Sequence, residues 1–141
     1  MVNSAKYKQI EHTGDVGIKV FGDSKKELFA NAACGMFDVI LDTTNVQQTL
    51  AEEIDVAGDN IEELLVNWLS ELNYLFITEQ KVFRKFDIHR LSDTELVAVA
   101  MGEKYDPRRH PMNAEIKAVT YHEIYIKQVK NKWEAQIIFD I

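Results

Sequence analysis

One cysteine and two prolines stand in 141 residues, and each scarcity excludes something. A lone thiol, Cys34, forms no internal disulfide, so packing must hold the fold, as expected in a reducing compartment. Its neighbours, NAACGMF, read as helix, which makes it a buried structural thiol rather than a nucleophile. Pro107 and Pro111 bracket a single loop and leave the rest of the chain free for regular structure. No apolar run approaches the roughly 18 residues of a membrane span. The opening MVNSAKYKQ lacks the apolar region of a signal peptide. The chain is therefore read as cytoplasmic, with no membrane contact. Glycine-rich phosphate loops, nucleophile elbows and metalloprotease motifs are missing, as are the Cys-His spacings of a zinc site. Positive charge is also short: 16 Lys and Arg against 23 Asp and Glu leave a net charge of −7. Affinity for nucleic acid comes from cations that neutralise phosphates, so direct binding is expected to be weak or absent. The charge favours a protein partner, a metal ion or plain solubility.

What is present describes an ordinary soluble core. A hydrophobic fraction of 46% and this length suit one domain over 1–141. Ser24 and Glu27 form a capping box, and Leu28, Phe29, Ala32, Ala33, Met36, Phe37 and Ile40 follow at helical spacing. Gly35 weakens that helix, which suggests a close contact there. A second helix starts near Asp59 or Asn60. Glu62 and Glu63 favour its positive end, and its apolar stripe runs from Ile61 to Phe76. Strands are predicted at YKQIEH and VGIKVF before the first helix, and at LAEEIDVA between the helices. KVFRKFDIHR and ELVAVAMG follow, joined through LSDT, then EIKAVTYHEIYIKQV and KWEAQIIFDI, joined at Lys130-Asn131. The pattern predicts an α+β fold with a largely antiparallel or mixed β-sheet and two main α-helices packed on one face.

Chemistry concentrates at few places. In EHTGDVG, residues 11 to 17, Glu11, His12, Thr13 and Asp15 crowd the mouth of a strand. Gly-Asp is also common turn chemistry, in which Thr13 and Asp15 bond only to nearby amides. The last strand, QIIFDI, ends on Asp140 and Ile141. If it lies beside the strand after Asp15, two carboxylates and backbone oxygens make a hard-oxygen site for Ca2+ or Mg2+. Lys117 alternates with Glu115, Val119 and Tyr121 on one strand face, a partner or phosphate contact or else a solvated strand lysine. Arg108, Arg109 and His110, in KYDPRRHP, could meet phosphate or an acidic surface, or form a plain loop tip. Trp68 and Trp133 are assigned to core or interface, since single aromatics without interleaved cations make no base-stacking platform.

Taken together, EHTGDVGIKVFGDS, ELFANAACGMF, LDT, LLVNWLSELNYLF, HPMNAEIKAVTYH and IIFDI resemble the archease family over nearly the whole chain. The family's usual opening motif reads His-Thr-Ala-Asp. Glycine at position 14 keeps the acid and loosens the loop backbone. The resemblance implies a non-catalytic accessory protein of the GTP-dependent RNA-splicing ligase. It would promote guanylylation of the ligase and its multiple turnover in tRNA splicing, and broaden its nucleotide use. It also implies a metal site, with calcium the expected ion and Asp15, Asp140 and the carbonyl of Ile141 as ligands. Lys117 comes next by the same resemblance, with His12, Arg108 and Arg109 as further contact candidates. An alternative is a chaperone-like modulator of an RNA-modifying enzyme such as a tRNA methyltransferase. A metal-dependent hydrolase with His122 as base ranks last, because no nucleophile, base and orienting acid come together in the sequence.

Overall fold

The computed structural model describes residues 6–12 and 14–141, with the backbone alone at His12. Elements follow in the order β1 (Tyr7–His12), β2 (Asp15–Gly22), α1 (Lys25–Ile40), β3 (Leu50–Ala57), α2 (Ile61–Glu79), β4 (Lys81–Leu91), β5 (Glu95–Lys104), β6 (Ala118–Val119), β7 (Tyr125–Val129) and β8 (Lys132–Asp140). This is an α+β fold in which every strand pairing is antiparallel. The strands divide into two sheets rather than one. A five-stranded sheet runs β1-β2-β8-β6, with β7 also on β8, and a three-stranded sheet runs β3-β5-β4.

The helices start where their caps dictate. Ser24 Oγ accepts from Glu27 N–H at 3.1 Å, and Asn60 Oδ1 from Glu63 N–H at 2.8 Å. Each glutamate reaches back to the amide of the residue before the cap, Asp23 or Asp59. Helix α1 packs on β1, β2 and β8 of one sheet and on β4 of the other. That position explains why its buried residues, from Leu28 to Ile40, leave almost no polar face. Gly35 is the close contact: a Cβ there would stand 3.0 Å from Ile18 Cδ1 and 3.1 Å from the Tyr7 ring. Helix α2 covers the three-stranded sheet and also reaches β6 and β7. Trp68, fully buried, donates Nε1–H to the Phe29 carbonyl at 3.0 Å and ties α2 to α1.

One predicted strand breaks. Residues 115–129 do not run as a single element. Val119 opposes Phe139, and the next named strand resumes with Tyr125 opposite Gln136. Six steps on this strand therefore match three on β8, and three residues loop out. The loop-out lies at Tyr121, His122 and Glu123, with Glu123 at φ 53°. Thr120 anchors its near side through Oγ1–H on the Ile138 carbonyl at 2.8 Å. Before it, Ile116 is buried while Ala118 is exposed, so the strict alternation expected around Lys117 does not extend through this stretch. No helix of the described residues is long and apolar enough to cross a membrane.

Candidate functional site

The first hairpin and the last strand meet in one row. Asp15 opens β2 and Asp140 closes β8, and the two are direct register partners. His12 opposes Asp15 on the outer side, and Ala118 opposes Asp140 on the other. Lys117 N–H donates to the Asp140 carbonyl at 2.7 Å. His12, Asp15, Asp140 and the Lys117-Ala118 step thus line one end of the five-stranded sheet. Asp15 and Asp140, paired directly, project from the same face with Cβ atoms about 5 Å apart. Asp140 is exposed and Asp15 half-buried, while Phe139 beneath them is fully buried and Ile141 packs against the core. The corner therefore stands on a rigid base. Gly14 takes φ 75° in the turn before Asp15, a region where an L side chain is strained. Glycine here fixes the turn that aims Asp15, rather than loosening it. The His12 side chain and Thr13 lie outside the described residues.

Like charges directly opposite each other on a sheet repel, and a divalent cation bound by carboxylate oxygen removes that cost. Among the described residues, no three His, Cys, Asp or Glu side chains gather tightly enough to hold a metal by themselves. Backbone oxygens at the end of β8, the Ile141 carbonyl first, must complete any such donor set. All of these donors are hard oxygens, the set that suits Ca2+ or Mg2+ rather than zinc.

The basic loop is built differently from its sequence reading. His110 is fully buried. Its Nδ1 accepts from Asp106 N–H at 2.9 Å, and its Nε2 lies 3.0 Å from Glu103 Oε2. Arg109 grips Glu103 with two bonds, 2.7 and 2.9 Å, and gives a third to the Asn45 carbonyl at 2.8 Å. Arg108, 89% exposed, pairs with Asp106 at 3.3 Å. His110 is thus no loop tip. The hub of the network is Glu103, which sequence reasoning missed. Arg109 beside it, with the Gln47 amide and His110, pulls its carboxyl down to about 2 against the cost of burial. Nothing in its local spacing marks it, because its partners come from two separate segments, Gln47 and the Arg109-His110 pair.

A second missed group sits at the other end of β1. Asp38 accepts from Tyr7 OH and, at 2.6 Å, from Thr43 Oγ1. Cys34 lies one turn earlier on the same helix, half-buried and free. Burial pushes its thiol pKa up, against the pull of Lys6 and Arg84.

Comparison with known proteins finds relatives of the whole chain. The sequence profile of the Archease protein family (MTH1598/TM1083) matches residues 7–141. "Protein archease" of Methanosarcina acetivorans is 43% identical over 140 residues, covering 96% of each chain. The solution structure of Methanobacterium thermoautotrophicum protein 1598 superimposes with a TM-score of 0.78 at 30% identity, over 96% of this chain and 99% of that one. The crystal structure from Thermotoga maritima described as an archease, possible chaperone, gives 0.63 at 21% identity, over 95% and 96%.

Proposed function

The chain belongs to the archease family, and from that premise we propose that it is a non-catalytic activator of the GTP-dependent RNA-splicing ligase. It promotes guanylylation of the ligase and sustains its turnover in tRNA splicing, and it broadens the ligase's nucleotide use. The observation that carries the reading is the register pair Asp15–Asp140. This pair unites two distant sequence motifs in one corner and sets Lys117 beside Asp140.

In this proposal Asp15, Asp140 and the Ile141 carbonyl hold Ca2+, or a similar divalent ion. The ion supplies a positive centre with coordination positions left open for a partner's oxygen. The protein's own groups do the rest. Lys117, exposed, offers an ammonium to an acidic or phosphate group of the partner. The paired strands keep the corner rigid, so that little ordering cost falls on docking. Arg108 extends the contact as an exposed cation, and His12 flanks the pair. Arg109 joins through whatever donor capacity its bonds to Glu103 and Asn45 leave. An acidic chain without a nucleophile motif suits a protein-binding modulator better than a stand-alone catalyst.

The test is ligation by the cognate ligase under multiple turnover with GTP and Mn2+, with and without this protein, following covalent guanylylation in the same samples. Wild type should accelerate guanylylation and sustain turnover. Asp15→Ala and Asp140→Ala should each abolish the effect while their circular-dichroism melts in EDTA stay near wild type. Wild type without effect on either step sinks the ligase reading. It would leave the chaperone-like alternative, a modulator of a tRNA methyltransferase, which the "possible chaperone" description of the Thermotoga protein also favours. Suppressed aggregation or altered site choice of the methyltransferase would then be its readout.

A further inference from the structure

A cavity of about 280 Å3 opens between the edge strands β1 and β4, with α1 as its floor. Lys6, Tyr7, Cys34, Asp38, Thr43 and Arg84 line it. It is remote from the carboxylate corner: Tyr7 and His12 begin and end β1, about 17 Å apart at strand rise.

Hydrogen-bond bookkeeping says what the cavity lacks. Both oxygens of Asp38 are occupied, by Tyr7 OH and Thr43 Oγ1–H. Those two hydroxyls have spent their hydrogens, so their oxygens offer only lone pairs. The thiol of Cys34 points to the Arg84 carbonyl at 3.8 Å. The unspent donors are cationic. Arg84 commits Nη1 to the Thr44 carbonyl at 2.7 Å, which fixes its plane and leaves most of its five donors available. Lys6, exposed, brings an ammonium to the same opening. Both cations pull the Cys34 thiol in the same direction, which places them around one space. On a chain of net charge −7, two cations at one concavity are a local inversion of sign. A ligand that fits brings acceptor oxygens with negative charge for Arg84 and Lys6, and at least one O–H donor for Tyr7 or Thr43.

We propose that this cavity is a binding site for a small phosphomonoester: the phosphate sits between Lys6 and Arg84, and a hydroxyl of the organic part donates to Tyr7 or Thr43. Arg84 meets the phosphate with its planar fork and Lys6 as a point charge. The Asp38 charge behind the hydroxyls limits affinity and rejects ligands that carry no donor.

The full chain is titrated with glycerol 2-phosphate and, separately, inorganic sulfate, at constant ionic strength, by amide NMR. Glycerol 2-phosphate should give saturable shifts at Tyr7, Cys34, Thr43 and Arg84, with Asp15 and Asp140 unmoved. Sulfate, which carries no O–H donor at neutral pH, should bind more weakly. Lys6→Gln and Arg84→Gln should each weaken binding roughly five- to tenfold. Lys6 is exposed, so its variant folds normally even if Arg84→Gln does not. Bound ligand should also slow alkylation of Cys34, the single cysteine, by iodoacetamide, and in Lys6→Gln only at correspondingly higher ligand concentration. Shifts that never saturate, binding unchanged in Lys6→Gln, or sulfate binding as tightly as glycerol 2-phosphate would each overturn the proposal. The ligase assay leaves this question untouched, since the two sites share no residue.

Discussion

Glu103 ties the 104–111 loop to residues 45–47 through one carboxylate. It is 7% exposed and receives both Arg109 bonds, the Gln47 amide at 2.7 Å and His110. Because His110 Nδ1 accepts the Asp106 amide, its proton sits on Nε2 and the ring is neutral. Glu103→Gln keeps the shape but removes the charge, and turns one acceptor into a donor facing Arg109 or His110. Breaking a buried pair from one side costs about 3 kcal/mol, and urea unfolding at neutral pH should show a loss of that size. The pH dependence has a definite sign. In the folded state Arg109 and its neighbours hold this carboxyl at about 2, below its ordinary value of 4.5. Its stabilisation is therefore full above about pH 4.5 and is lost as pH falls toward 2. Wild type and variant should converge over that window, and a gap that stays constant there would refute the assignment. Glu103 was invisible in the sequence for the same reason that it matters. It is one of 23 acidic residues, and only the folded loop at 104–111 and residues 45–47 single it out. Asp15 stood out locally, because a glycine turn and a flanking histidine made its motif unusual.

At the scale of elements, local signals and non-local pairing separate cleanly. Both helix caps were legible, because capping is a matter of four consecutive residues. The bounds of β1 and β3 are those expected from alternation, and the hairpin turn at Lys130 and Asn131 takes φ values of 49° and 67°. The loop-out at 121–123 was not legible. Its cause is the register against β8, which no periodicity within residues 115–129 records. The division into two sheets was hidden likewise, since each sheet is assembled from strands on both sides of a helix. Helix α1 offers a test in which two element-level effects oppose each other. Gly35→Ala gains about 1 kcal/mol of helix propensity. It also pushes a methyl to 3.0 Å from Ile18 and 3.1 Å from Tyr7. Tyr7 is held by Asp38 and gives way poorly, and overpacking costs about 1–3 kcal/mol. The net should be a loss of about 1 kcal/mol in chemical denaturation, with perturbed Tyr7 resonances. A stabilised variant would mean that Ile18 and Tyr7 yield to the added methyl.

At the scale of the whole molecule, the chain closes on itself. The opening hairpin and the final strand pair through Asp15–Asp140 to Gly22–Trp133, so a cation at the corner would clamp segments at opposite ends of the sequence. That adjacency was a step the sequence left open: each motif was visible, and their meeting is a tertiary fact. It also sets a prediction with a crossing sign. Without divalent ions the two opposed carboxylates repel, so Asp140→Asn should be at least as stable as wild type in EDTA. With Ca2+ at about one hundred times its dissociation constant, wild type should gain about 2.7 kcal/mol, on the order of 10 °C in melting temperature for a domain this size. Asp140→Asn should gain little, so that the order of the two melts inverts between EDTA and Ca2+. Addition of Mg2+ in place of Ca2+ reports on ion choice, because its stricter octahedral geometry fits less easily between two strand-fixed carboxylates. Melts indifferent to both ions would remove the cation from the corner. The charge of Asp15 and Asp140 would then answer directly to cations on the partner protein, and raising the salt concentration would weaken that association.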